Sequence, residues 1–235
     1  MSRSLLVLTA VALAACSSGP NTRQAPAVQP KGGFLHDYSK LQPGGPGRAL
    51  LVYRAPDANV RGYDKVLLDP VTIWRVPVVG DTVSRADLQR LADLLYGSLM
   101  TRLRTYYVMV STPGPKTLRI RAALTEATPS STTMDVMSQI GPVSRTAAAA
   151  KETQTGTPAW VGAASAELEV LDAETGEQLF AAVDRRVGEK TMNAATKPWA
   201  DVEDTFRIWS EAVVARLQEE GGPTQEVPWY AQPQR

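Results

Sequence analysis

The segment from Ala166 to Arg186, AELEVLDAETGEQLFAAVDRR, limits the fold more than any other part of the chain. Ala166, Leu168 and Val170 alternate with Glu167 and Glu169, and Thr175-Gly176 supplies a turn before a second apolar run. That pattern is a β-hairpin with one apolar face. With a loop of two or four residues the numbers of paired residues add to an odd sum, which sets Leu168 and Val170 on the same face as Leu179, Ala181 and Val183. Glu167 and Glu169 then point the other way, as solvated charges. A sheet with one apolar face needs a layer to cover it.

Two helices supply that layer. In SRADLQRLADLLYGSLMTRLRTYY, residues Leu88, Leu91, Leu95, Leu99 and Leu103 recur at spacings of three and four, one stripe on a helix of about twenty residues. Ser84 with Asp87 three residues on resembles a capping box, and Gly97 faces away from the stripe. Pro198 opens the second helix, with Asp201, Glu203 and Asp204 at its positive end. Val202, Phe206, Trp209, Val213 and Leu217 form its stripe, and Gly221-Gly222-Pro223 ends it. Further strands are read in ALLVYR (49–54), in YDKVLLDPVTIWRV (63–76) with a break at Pro70, in YVMV (107–110) and in TLRIRAALTEA (117–127). The element order predicts an α+β fold, an antiparallel or mixed β-sheet with two main helices packed on it. The Ser-, Thr- and Ala-rich stretch from Thr128 to Pro158 has no assignable pattern.

The chain opens with MSRS and an apolar run of about ten residues, far short of the roughly twenty that span a bilayer as a helix. This reads as a secretory leader. Its end, Leu13-Ala14-Ala15-Cys16, resembles the bacterial lipobox, and Cys16 is the chain's one cysteine, with no second thiol for a disulfide. The resemblance implies cleavage before Cys16, a diacylglyceryl group on its sulfur and an acyl group on the new amino terminus. Two or three chains then hold the protein to the membrane, since each buried CH2 contributes roughly 0.8 kcal/mol. Ser17 in place of Asp after the cysteine resembles the signal for the outer membrane, with the domain in the periplasm. The expected organisation is a signal peptide over 1–15, a lipidated cysteine and flexible tether over 16–33, one α+β domain over 34–220 and a flexible tail over 221–235. Trp229 and Tyr230 are the tail's exceptions, able to pack back on the domain.

Composition removes several functions. Lys plus Arg number 25 against 24 Asp plus Glu, so no bulk charge draws the chain to nucleic acid. His36 is the one histidine, and a Ser-His-Asp or Cys-His arrangement would have to use it. Its neighbours Asp37, Tyr38 and Ser39 adjoin it along the chain, whereas triad partners converge from separate elements. No zinc ligand set exists, no Asp-rich calcium loop of EF-hand type is present, and STPGPKT (111–117) ends like a phosphate loop but leads into a strand. Glu167 and Glu169 have a spacing that a glycosidase tolerates, and the tryptophans could line a groove. No cofactor or metal is expected.

GGFLHDYSKLQPGG (32–45), LVYR (51–54) and YDKVLLDPV (63–71) resemble the signatures of a family of proteobacterial lipoproteins known as a domain of unknown function. The likeness runs from Gly33 to about Leu217. It implies an outer-membrane lipoprotein and supplies no catalytic residues. The leading expectation is a non-catalytic periplasmic domain that binds an envelope protein or a polysaccharide. Phe34, Leu35, His36, Asp37 and Tyr38 are its candidate contact residues, although Phe34, Leu35 and Leu41 also suit a segment docked on the domain. The alternative is a carrier of a small molecule or lipid, which requires an apolar pocket between sheet and helices. A hydrolase using His36 or a carboxylate pair comes third.

Overall fold

A computed structural model describes residues 22–76, 83–130, 161–188 and 198–233. The leader, Leu13, Ala14, Ala15, Cys16, Trp160 and nearly all of the Thr128–Pro158 stretch lie outside the described residues.

The described chain forms a mixed nine-stranded sheet with two long helices, as the element order predicts. Its strands are β1 (Thr22–Gln24), β2 (Gln42–Pro43), β3 (Leu51–Arg54), β4 (Lys65–Leu68), β5 (Thr72–Ile73), β6 (Val108–Met109), β7 (Thr117–Thr128), β8 (Ala163–Asp172) and β9 (Gln178–Gly188). Three long antiparallel strands, β7, β8 and β9, form the centre, and the order runs β2-β3-β9-β8-β7-β4-β6. Short strands build both flanks: β1 and β3 each pair antiparallel with β9, and β4 and β5 each pair parallel with β7. Pro70 falls in the gap between β4 and β5, since it cannot donate to the ladder.

Helix α1 (Arg85–Leu103) begins at the capping box on Ser84 and Asp87, and Leu88, Leu91, Leu95, Leu99 and Leu103 are all buried. Helix α2 (Ala200–Glu219) buries Val202, Phe206, Val214 and Leu217. It ends in the bonds expected of a Schellman turn: Gly222 N–H donates to the Leu217 carbonyl and Gly221 N–H to that of Gln218, with Gly221 at φ +94°. Both helices pack on one face of the sheet, where Leu118, Ile120, Ala122, Val170 and Phe180 share a core with them.

The hairpin departs from expectation in its parity. A five-residue loop joins β8 to β9, with Asp172 Oδ1 accepting from the Glu174 and Thr175 amides and Gly176 at φ +76°. Beside the turn the sum is odd, Leu171 facing Gln178, but a bulge follows and Val170 faces Phe180, Leu168 faces Ala182 and Glu167 faces Val183. The extra residue flips the parity of everything beyond it. Leu168 and Val170 therefore share the helix-facing side with Phe180 and Ala182.

The ends of the domain also differ from expectation. The chain enters the sheet at Thr22, opposite Gly188, well before residue 34. At the other terminus Val227 N–H donates to the Thr105 carbonyl, while the Gln232 side chain accepts from Met109 N–H and donates to the carbonyls of Arg104 and Tyr107. The segment expected to be a flexible tail is thus pinned along the edge strand β6. Its short 3-10 turn (Trp229–Ala231) leaves Trp229 and Tyr230 exposed.

Candidate functional site

The signature segment near His36 is a cover on the sheet face opposite the helices. Glu167 and Glu169, expected to be solvated, are fully buried there. The reason is the cover itself. Gly32 and Gly33, at φ +69° and +85°, turn the chain inward, and Trp74 Nε1 donates to the Gly32 carbonyl at 2.9 Å. Phe34 and Leu35 then pack on Ala123, Ala181 and Val183, and both are buried within the chain. Lys31 N–H donates to Glu167 Oε1 at 2.7 Å, and the Tyr38 hydroxyl donates to Glu167 while accepting from the Phe34 and Leu35 amides. Burial first, and the Glu167 carboxylate second, raise the Tyr38 pKa above the usual phenol value. Glu169 pairs with Arg121, accepts from His36 N–H at 3.0 Å and Gln178 Nε2 at 2.9 Å, and has His36 Nδ1 3.1 Å away.

His36 therefore does meet a carboxylate, that of Glu169. Ser39 Oγ donates to Asp37 at 2.7 Å, away from the imidazole, and Asp37 is held below its ordinary pKa chiefly by that bond. Both buried glutamates have their oxygens occupied by protein donors and no exposed surface. Among the described residues no cluster of three or more His, Cys, Asp or Glu side chains is placed to hold a metal ion. The residues GFLHDYS act as a structural clasp, because burying two carboxylates demands a donor for each oxygen.

A second site lies on the helix-facing side, and reading the sequence alone does not find it. The sheet is wider than the two helices, and beneath α2 the middle of β8 and β9 carries Ala166, Leu168 and Ala182, all partly open. The small side chains of Ala166 and Ala182 leave a cavity of about 530 Å³ between the strands, α2 and the 46–49 loop, its walls including Leu99, Phe180, Trp209 and Val213. The volume falls in the range of small-ligand sites, roughly 300–1,000 Å³.

Polar atoms at the groove are partnered within the protein. Buried Asp184 accepts from Trp209 Nε1 at 2.7 Å, Gln24 Nε2 at 2.7 Å and Leu50 N–H at 3.1 Å, tying α2, β1 and the start of β3 together. Along the rim runs one alternating chain of ion pairs: Arg48–Glu219 at 2.6 Å, Arg216–Glu219 at 3.2 Å, Arg216–Glu220 at 2.7 Å and Arg54–Glu220 at 2.9 Å. Arg48 and then Arg216 hold the Glu219 carboxyl below its usual pKa. The signal available in the sequence was the pair of alanines on the helix-facing side of the hairpin, which the bulge made unreadable.

Comparison with known proteins fixes the family. The family described as Protein of unknown function (DUF3313) matches the chain over residues 30–213, most of its length. The chain belongs to this family. The match begins at the clasp and ends within α2, so it takes in the whole sheet after β1. Among curated relatives, the uncharacterised lipoprotein YdcL of Escherichia coli (strain K12) is 26% identical over 95 residues, 40% of this chain and 43% of YdcL. YdcL of Escherichia coli O157:H7 matches to the same extent. The aligned stretch thus spans less than half of these relatives. Among solved structures the PelC dodecamer from Paraburkholderia phytofirmans is similar at 12% identity and a TM-score of 0.37, covering 68% of this chain and 94% of that one. At that score the likeness carries no weight for function.

Proposed function

We propose that this DUF3313 protein is an outer-membrane lipoprotein, lipidated on Cys16, whose periplasmic domain binds a small apolar or amphiphilic molecule without transforming it. The observation that carries the reading is the groove floored by Ala166, Leu168 and Ala182, an apolar concavity whose polar neighbours already satisfy one another. Such a site gains by burying apolar surface, at roughly 25 cal/mol per Å². The match to YdcL, a lipoprotein, and the Leu13-Ala14-Ala15-Cys16 motif support the anchor. The buried, fully bonded glutamates argue against a hydrolase built on His36.

The groove favours the carrier over a broad protein- or polymer-binding surface. Among the described residues the large exposed hydrophobics are Leu94, Trp229 and Tyr230. The Trp229–Tyr230 pair, edge to face with ring centroids 6.0 Å apart, gives an envelope protein or polysaccharide a foothold and keeps that second reading in play.

The test is to isolate the full protein from envelope fractions, weigh it intact and extract what accompanies it. The expected result is a mass carrying acyl groups, absent from Cys16→Ser, and a co-isolated apolar compound lost in Ala182→Trp, which fills the groove. An unlipidated mature chain would overturn the anchor, and equal extracts from wild type and Ala182→Trp would overturn the groove.

A further inference from the structure

We infer that the groove selects an uncharged lipid with one hydrocarbon chain, and that the balance of charge at its mouth rejects anionic and cationic heads alike. The inference rests on the binding reading above and names its ligand class. The rim chain alone holds three guanidinium groups, of Arg48, Arg54 and Arg216, against the two carboxylates of Glu219 and Glu220. The carboxylate of Asp184 on the groove's wall offsets the third. Among the described residues each of these groups is already partnered. Arg48 pairs with Glu219, Arg54 with Glu220 and Arg216 with both. Arg54 also donates to the carbonyls of Ala55, Pro56 and Ala58, and the Arg216 guanidinium lies over the Phe180 ring, 5.9 Å from its centroid. Asp184 has both oxygens taken, Oδ1 by Gln24 Nε2 and Leu50 N–H and Oδ2 by Trp209 Nε1.

An anionic head at this mouth has to take an arginine from Glu219 or Glu220, and a cationic head has to take a carboxylate from its present donors. Either exchange breaks one charged contact to make another, and the head gives up its own water besides, so nothing is gained to offset that loss. An uncharged head breaks no ion pair and loses far less on leaving water. The selectivity therefore comes from what the mouth excludes. Directly inside it the lining is Ala166, Leu168, Ala182 and Val213, which takes a methylene chain. A cavity of about 530 Å³ has the size of a small-ligand site, which suits one chain rather than the paired chains and charged head of a phospholipid.

The test uses the full lipoprotein in phosphatidylcholine vesicles and three diazirine-bearing probes of equal chain length: hexadecanol, hexadecyl sulfonate and hexadecyltrimethylammonium. Labelled peptides are mapped by mass spectrometry and normalised to the probe bound by the vesicles. The expected result is that the alcohol labels the β8–β9 and α2 peptides about five-fold more than either charged probe, the ratio that roughly 1 kcal/mol of exposed ion pairing gives. Glu219→Gln leaves a guanidinium to spare and should raise the sulfonate toward the alcohol, whereas Arg48→Ala should raise the ammonium instead. Ratios are read within one variant, so a general loss of fold lowers all three probes together. Equal groove labelling by the three probes, an excess of a charged one, or ratios that neither substitution moves overturns the uncharged-lipid assignment and leaves groove binding standing. Labelling by no probe overturns both. Ala182→Trp should abolish labelling by the alcohol, and Ala212→Trp on the exposed flank of α2 serves the same purpose should the first variant not fold.

Discussion

Two kinds of buried carboxylate separate what single residues do here. Glu167 is buried with donors supplied, Lys31 N–H to one carboxyl oxygen and the Tyr38 hydroxyl to the other. Tyr38→Phe removes one donor from Glu167 and the acceptor of two amides, so urea unfolding should show a loss of about 2–3 kcal/mol. A loss under about 0.5 kcal/mol would mean that the clasp is not what covers the carboxylates. Asp201 is the opposite case. It is 3% exposed, its Oδ2 has no hydrogen-bond partner among the described residues, and burial pushes its pKa up from 3.8 to about 6. The folded state therefore holds a proton that the unfolded state releases between pH 4 and 6, and stability falls as pH rises through that window. The cost approaches about 3 kcal/mol above pH 6. Asp201→Asn should gain on the wild type across that window and keep its advantage at pH 8; parallel stability profiles for the two would refute the assignment. Neither behaviour was legible in sequence: Asp201 reads as a first-turn acid, and Glu167 as a surface charge, because alternation gives sides of a strand but not what covers each side.

Elements were more legible than residues, and the physical reason is redundancy. Five leucines in α1 and five apolar positions in α2 each repeat the same message, and the capping box adds an independent start signal. Ser84→Ala should cost about 1 kcal/mol in a chemical melt, since Ser84 Oγ accepts from the Asp87 amide and the Asp87 carboxylate accepts from the Ser84 amide. No change on that substitution would place the start of α1 elsewhere. The hairpin was equally clear as an element and wrong in its pairing, because one bulged residue near Leu179 reverses the faces and leaves no trace in composition. The small strands β1 and β2, three and two residues long, carry too few side chains to signal themselves. They exist because β9, for β1, and β3, for β2, offer edges to be paired.

At the scale of the whole molecule the described residues form three layers: two helices, a mixed sheet, and the clasp of residues 31–41 on the far face. The pairing of β1 changes the relation to the membrane. With the sheet starting at Thr22, only six steps of chain separate it from Cys16, at most about 20 Å. Under the proposed anchoring, a lipid on Cys16 would hold the domain close to the bilayer; Gln24, which bonds both the Arg48 carbonyl and Asp184, sets the groove's rim beside the point where the chain enters the sheet. The fold class and the family were legible in sequence. The groove was not, since its walls come from segments more than a hundred residues apart and its floor depends on the reversed parity of the hairpin. The most direct measurement of the central claim is the indole N–H resonance of Trp209, whose Nε1 donates to Asp184 at the groove, followed in the full chain held in bilayer nanodiscs as hexadecanol is added and assigned through Trp209→Phe. A saturable shift that disappears in Ala182→Trp is the expected result. A resonance that stays fixed while the alcohol partitions into the bilayer would contradict the groove as the binding site.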